Sequence, residues 1–231
     1  MSAAPQRNSG DRAGNPDPLL VACALRIEQA ALRSAGPGAA ARGPAGSYSL
    51  LRTGMGPRAA ERAVARALDR PGMDRAAVLA TGFCAGLVPG MHPGDLVVAE
   101  ETRGPQGAVT CTGTALLAEA LARAAPGRTV HTGALTGSDH VVRGQERAQL
   151  RATGAIAVDM ESAATLWTAT RGGPCPEGGR PVAAVRVIVD APEHELVRIG
   201  TVRGGISAFR VLRAVLPAFY EWHRSLLLPR R

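Results

Sequence analysis

Between Leu19 and Val189 short apolar runs alternate with segments whose apolar residues recur every three or four positions. Runs of four to eight apolar residues bounded by Gly or Pro fit buried strands, whereas the longer period fits amphipathic helices. Strands are predicted at Leu19–Leu25, Tyr48–Arg52, Ala76–Ala80, Asp95–Ala99, Thr129–Leu135, Ala155–Val158 and Pro181–Val189. Helices are predicted at Glu28–Ser34 (closed by Gly36-Pro37), Pro57–Leu68, Thr114–Ala124, Gln145–Arg151 and Ser162–Ala169. This order constrains the fold to an α/β class: a single-domain, three-layer α/β/α arrangement around a mainly parallel or mixed central sheet.

A chain of 231 residues with 45% hydrophobic content can bury one sizeable core and is short for two domains. Residues 1–17 are rich in Pro, Gly, Asn and Ser without apolar periodicity, and read as a disordered extension. Residues 18–203 form the α/β unit, and 204–231 a pair of basic amphipathic helices. No signal-type apolar segment and no membrane-length run is visible, so a cytoplasmic protein is expected. Cys23, Cys84, Cys111 and Cys175 lie far apart and read as buried or idle thiols in a reducing compartment. His92, His131, His140, His194 and His223 are scattered, so no metal site is expected.

The net charge of +8 suggests nucleic acid until it is located. Arg203, Arg210, Arg213, Arg224, Arg230 and Arg231 stand against Glu221 alone, so the tail carries five of the eight charges and the body is ordinary. Phe209, Phe219, Tyr220 and Trp222 lie in the same stretch. Two outcomes are open: the tail helices close the sheet and bury these rings, or the second helix, starting at Pro217, lies on an anionic membrane surface.

The chemistry concentrates in Val158-Asp159-Met160-Glu161, at a strand-to-helix junction, and in Asp190, at the end of the strand through Val189. Carboxylates at the carboxyl ends of core strands suggest a polar ligand at the sheet rim, although an Asp there is equally a helix cap. Gly54-x-Gly56 follows a strand without the later acidic residue a dinucleotide site needs. It remains a tight turn able to offer amides to an anion or a ribose. Arg58, Arg62 and Arg66 recur by one helical turn and read as a solvated face.

Gly82-Phe83-Cys84-Ala85-Gly86-Leu87, Pro93-Gly94-Asp95-Leu96-Val97-Val98, Gly137-Ser138-Asp139, Val158-Asp159-Met160-Glu161 and Arg186-Val187-Ile188-Val189-Asp190 together resemble the nucleoside phosphorylase and nucleosidase superfamily. Ala24-Leu25-Arg26-Ile27-Glu28, Thr53-Gly54-Met55-Gly56-Pro57 and the arginine-rich tail are similar to its hopanoid-associated branch, thought to act on adenosylhopane. The resemblance implies a nucleoside phosphorylase-like fold and cleavage of an N-glycosidic bond, releasing adenine from a 5′-substituted adenosine. It gives Asp190 the role of general acid at the purine N7, for which an apolar rim of Val187, Val189 and Ala191 would help keep the acid protonated. Glu161 would hold the ribose hydroxyls and Met160 would pack on the sugar. A Gly82–Gly86 turn, with Phe83, Cys84 and Ala85, would line base and ribose, and Val141 and Val142 stand where an aromatic often stacks on the base. Gly54 and Asp159 complete the substrate-binding set, whereas Asp139 reads as a loop cap. Arg186 needs a partner within its apolar strand, as an orienter of a pocket carboxylate or as a structural ion pair.

Phosphorylases of this superfamily place arginines and a serine where this chain has Glu28, Ala80 and Phe83. A carboxylate repels phosphate and can deprotonate water, so hydrolysis with Glu28 as the water's base is expected, and phosphorolysis is the alternative. No cofactor is implied, phosphate being a co-substrate only in that alternative. The implied partners are a nucleoside, with a lipid tail on the hopanoid-type reading, and a second copy in a homodimer. Nucleic acid is not among them. A catalytically idle nucleoside-binding module at a membrane is the competing class.

Overall fold

The computed structural model describes residues 17–35, 48–171, 179–192 and 201–227. The expected extension at 1–17 (but for Asp17), the Gly36-Pro37 stop and Cys175 lie outside them. The strands are β1 Leu19–Cys23, β2 Tyr48–Arg52, β3 Ala77–Gly86, β4 Leu96–Gly104, β5 Gly107–Thr110, β6 Val130–Gly137, β7 Ala155–Asp159 and β8 Val182–Asp190. The helices are α1 Arg26–Ser34, α2 Pro57–Leu68, α3 Thr114–Ala124, α4 Gln145–Ala152, α5 Ser162–Arg171, α6 Thr201–Ala214 and α7 Leu216–Leu227.

The strands make one mixed sheet in the order β2-β1-β3-β7-β6-β4-β5, and β8 pairs with both β3 and β4. β3, β7, β6, β4 and β8 therefore close into a ring, with β1 and β2 extending from β3. Alternation along each strand sends side chains to two cores. On one face Leu79, Val98 and Val185 meet α1, α3, α6 and α7. On the other Val78, Val97 and Ala184 meet α2 and α5. The α/β/α layering follows from the sequence pattern, whereas ring closure depends on β8 pairing with β3 and β4, both far from it in the chain.

Two local expectations are corrected. Gly82–Gly86 is not a turn but the second half of β3, which runs on to pair with β7 at Ala85 and Gly86. The glycines serve close approach: a Cβ on Gly82, whose φ is +137°, would lie 2.5 Å from Glu28 Oε1 and 2.6 Å from Arg186 Nη1. β4 also runs on past Ala99 and turns at Pro105-Gln106 into β5, a hairpin whose polar strand gave no apolar run to detect.

The tail is settled by burial. Phe219 and Trp222 are 0% and 1% exposed, and Trp222 donates its indole N–H to the Thr112 carbonyl at 2.8 Å. Tyr220 packs edge-on against Tyr48, ring centroids 5.4 Å apart. α6 and α7 thus pack onto the main core, and Phe219 and Trp222 are turned into it. Among the described residues no helix is long and apolar enough to cross a membrane.

His223, also on α7, is buried, with Asp17 as its polar neighbour. Burial pushes its pKa down, against a smaller opposing pull from Asp17. A histidine held neutral contributes stability above its unfolded pKa and loses it as pH falls, because the unfolded chain takes up the proton first. The melting temperature should therefore fall as pH drops below about 6.5. His223→Leu should flatten that acid limb in melts taken from pH 8 to 5, and an unchanged limb would assign it elsewhere.

Candidate active site

The carboxyl ends of β1, β2, β3, β7 and β8 gather at one edge of the ring, and a cavity of about 210 Å³ opens there. β1 leads through Ala24 and Leu25 into α1, which brings Glu28 to the wall. β3 supplies Phe83, Cys84 and Ala85. β7 leads through Val158 and Asp159 to Met160 and Glu161, and β8 ends in Val189 and Asp190. Met55, His140, Val141, Val142 and Arg147 complete the lining. Ten of the twelve expected site residues thus share one cavity. Gly82 and Gly54 do not line it: Gly82 lies beneath Glu28 and Arg186, and Gly54 sits in the turn before α2. A larger cleft, about 510 Å³, adjoins through Met160 and His140 but holds none of Glu28, Glu161 and Asp190.

Glu28 is buried and accepts three backbone amides: Ala24 at 2.9 Å and Leu25 at 2.8 Å on Oε2, and Phe83 at 2.8 Å on Oε1. It therefore caps the start of α1 and also ties that helix to β3, so its structural and pocket-facing roles coincide. Burial pushes its carboxyl above the ordinary range, against Arg186 and the three amides. Glu161 accepts the Gly56 amide at 2.8 Å on Oε1, and the anion that the Gly54–Gly56 turn receives is this protein carboxylate. Its pKa is likewise raised by burial, with Arg186 pulling it down and Asp159 pushing it up.

Arg186 finds its partners in the interior. Its Nε lies 2.5 Å from Asp159 Oδ2 and donates to Ser162 Oγ at 2.9 Å, and Nη1 donates to the Thr81 carbonyl at 2.9 Å. Asp159 also accepts the Ser162 amide and hydroxyl, 3.2 Å and 2.5 Å. Asp159 borders the cavity, and its oxygens also serve the start of α5. Asp139 is mostly exposed and pairs with His140 at 2.7 Å, as a loop residue. The buried thiols Cys23 and Cys111 have pKa values pushed up to about 12, which leaves them protonated and unreactive.

Arg147 is the residue that sequence reasoning missed. It lies on α4, and its Nη2 is hydrogen-bonded to Asp190 Oδ2 across the cavity wall. Nothing in Gln145–Arg151 marks one arginine of an amphipathic helix as facing inward.

A ring-closed mixed sheet with three carboxylates at its strand ends defines an α/β fold shaped to hold one polar small molecule. The chain belongs to the phosphorylase superfamily, whose family model matches residues 37–217. Among solved structures it is similar to the 5′-methylthioadenosine/S-adenosylhomocysteine nucleosidase of Neisseria meningitidis in complex with methylthio-immucillin-A, at 22% identity and TM-score 0.67 over 88% of this chain and 98% of that one. It is also similar to the S-adenosylhomocysteine nucleosidase of Streptococcus pyogenes in complex with 5-methylthiotubericidin, at 19% identity and TM-score 0.71 over 90% and 98%. A third is the nucleosidase of Colwellia psychrerythraea in complex with adenine, at 19% identity and TM-score 0.69 over 90% and 96%. No curated protein matches the chain in sequence.

Proposed function

We propose that the protein cleaves the N-glycosidic bond of a 5′-substituted adenosine by hydrolysis, releasing adenine. The carrying observation is the convergence of Glu28, Glu161 and Asp190 on one cavity at the strand ends. Three such carboxylates supply what the reaction needs: a base for water, a partner for hydroxyls on a sugar that becomes positively charged, and a group at the departing purine. The likeness to nucleosidases bound to adenine and nucleoside analogues supports that reading of the substrate. Glu28, its carboxyl shifted toward neutrality by burial, is the base that takes the water's proton. Glu161, next along the chain from Met160, takes the ribose hydroxyls. Asp190 marks the base end, beside Val142.

The cavity favours water over phosphate. Among its described lining residues Arg147 is the one arginine, and it is engaged by Asp190. A buried carboxylate at Glu28 opposes a second anion. Adenine release should therefore proceed at the same rate with and without millimolar phosphate and give the free sugar. A ribose 1-phosphate product would move the assignment to phosphorolysis. Tight nucleoside binding without any turnover would move it to a binding module.

The mouth narrows the substrate further. Met55 and Val141, both cavity residues, are 67% and 62% exposed, an apolar rim around a polar interior. The cavity is also small beside the roughly 300–1,000 Å³ usual for ligand pockets, so a large substituent extends beyond it, over that rim or into the adjoining cleft. A bulky apolar 5′ group fits, of the kind present in adenosylhopane, which the resemblance to the hopanoid-associated branch also favours. Such a substrate would be drawn from a membrane by a cytoplasmic enzyme touching its surface at the rim.

A further inference from the structure

The outward side of α1 is cationic. Arg26, Gln29, Ala30 and Arg33 recur every three or four positions, away from the buried Glu28, Ala31 and Leu32. With Ser34 and Arg52 they line an open surface cleft. Ala35, the residue after α1, borders a second cleft lined by Arg210 and Arg213 of α6. All five arginines are exposed, and neither cleft has an acidic residue among its described lining residues. None of the five pairs with a described carboxylate. Like charges held together repel one another, and an anionic surface relieves that repulsion.

The patch begins at the mouth of the cavity. Arg26 follows Leu25, a cavity residue, and Arg52 stands level with Cys23 in the parallel register, three residues before Met55. Exposed aliphatic side chains stand beside these charges: Ile27, next to Arg26, is 49% exposed and Met55 67%. Cations beside exposed aliphatic groups match an anionic bilayer, whose phosphates take the guanidinium groups and whose interface takes the apolar side chains. Nucleic acid fits less well, because single strands are held by aromatic stacking. The large apolar residues exposed among the described residues are Ile27, Met55, Leu116, Val141 and Leu227, without an aromatic ring.

We propose that the arginine face of α1, β2 and α6 seats the protein on an anionic lipid bilayer, with Ile27 and Met55 entering the interface beside the cavity mouth. The proposal rests on the reading of the cavity as the site of an adenosine with a bulky apolar 5′ group, and adds how such a substrate is reached. The apolar group stays in the bilayer while the nucleoside end crosses the interface into the cavity, so its apolar surface is never transferred to water. α6 is divided accordingly: Ala208, Val211, Leu212 and Val215 are buried in the core, and Arg210 and Arg213 face out. The contact thus belongs to the charged side of the helix and not to the buried rings of Phe219 and Trp222. Attachment through exposed charges is peripheral and weakens as salt screens them.

Co-sedimentation of the full chain with lipid vesicles tests the docking face. Wild type should bind vesicles of phosphatidylcholine mixed with phosphatidylglycerol, stay free of phosphatidylcholine alone, and be released by added sodium chloride. Each arginine at such a surface is worth roughly fivefold in partition, so the triple variant Arg26→Gln, Arg33→Gln and Arg52→Gln should bind on the order of 100-fold more weakly. A control variant, Arg62→Gln, Arg66→Gln and Arg70→Gln, removes the same charge from exposed positions on and just after α2 and should bind nearly as wild type. Both variants should keep the wild-type melting temperature and the wild-type rate of adenine release from water-soluble 5′-methylthioadenosine. From an adenosine with a long 5′-alkyl chain dissolved in the anionic vesicles, the α1–β2 variant should release adenine about tenfold more slowly. Equal weakening in the two triple variants would reduce the effect to net charge and overturn the proposal, as would equal binding of wild type to neutral vesicles. Tighter binding to a DNA duplex than to anionic vesicles, lost in the α1–β2 variant, would assign the face to nucleic acid and overturn it too. A wild type that docks through these arginines but releases adenine from neither substrate would keep the docking face and overturn the nucleosidase reading.

Discussion

Asp190→Asn is expected to lower adenine release by about two orders of magnitude or more, because the group that would serve the departing purine and the anchor of Arg147 are lost together. The substitution also strands a buried guanidinium: breaking such a pair costs on the order of 3–5 kcal/mol. The geometry supports this weight, since Arg147 and Asp190 are both largely buried and bonded to each other. Lost activity alone would therefore be ambiguous. The double variant Arg147→Met with Asp190→Asn removes both charges, and should recover most of the melting temperature while staying inactive. A stable double variant with near-wild-type turnover would remove Asp190 from the reaction.

Glu161→Gln should separate activity from stability. Burial holds the Glu161 carboxyl above its ordinary range, so its charged form is unfavourable in the folded protein. Above the unfolded pKa the unfolded chain gives up this proton first, so the contribution of the group to stability is lost as pH rises through the folded value. Glutamine keeps an acceptor for the Gly56 amide and has nothing to ionise. The variant should melt higher than wild type at pH 8, and the difference should shrink toward pH 4. Turnover should fall by about 10²–10³, because the hydroxyl interaction strengthens as the sugar gains positive charge. Ribose and 2′-deoxyribose substrates, well separated by wild type, should be handled alike by the variant. Equal handling by both proteins would show that Glu161 is not the ribose ligand.

The same cost of burying charge shapes the interior around Arg186. Glu28, Asp159 and Glu161 all act on this one buried cation, which itself bonds Asp159, Ser162 and the Thr81 carbonyl. Arg186 thus lets the fold keep two carboxylates at the cavity that would otherwise be too costly to bury. The two roles weighed for Arg186 from sequence, structural ion pair and orienter of pocket carboxylates, meet in one residue through Asp159 and α5.

The sequence by itself determined the α/β class, the strand and helix order and the carboxylates at strand ends, because these rest on local periodicity and on residues beside chain-local breaks. Asp190 and Glu161 were legible since one ends an apolar run and the other stands at the junction between such a run and a helix. Only the tertiary structure decided that β3 continues through Gly82–Gly86, since Gly82 answers to Glu28 and Arg186, both far away in the chain. It also decided between the two readings of the tail. Phe219 and Trp222 have the same amphipathic pattern whether their face meets lipid or a sheet, and the choice fell to what β1, β4 and β8 leave uncovered. Arg147 was hidden for the same reason: its partner is 43 residues away on another element, and periodicity carries no information about which charge on a helix will meet a carboxylate across a cavity.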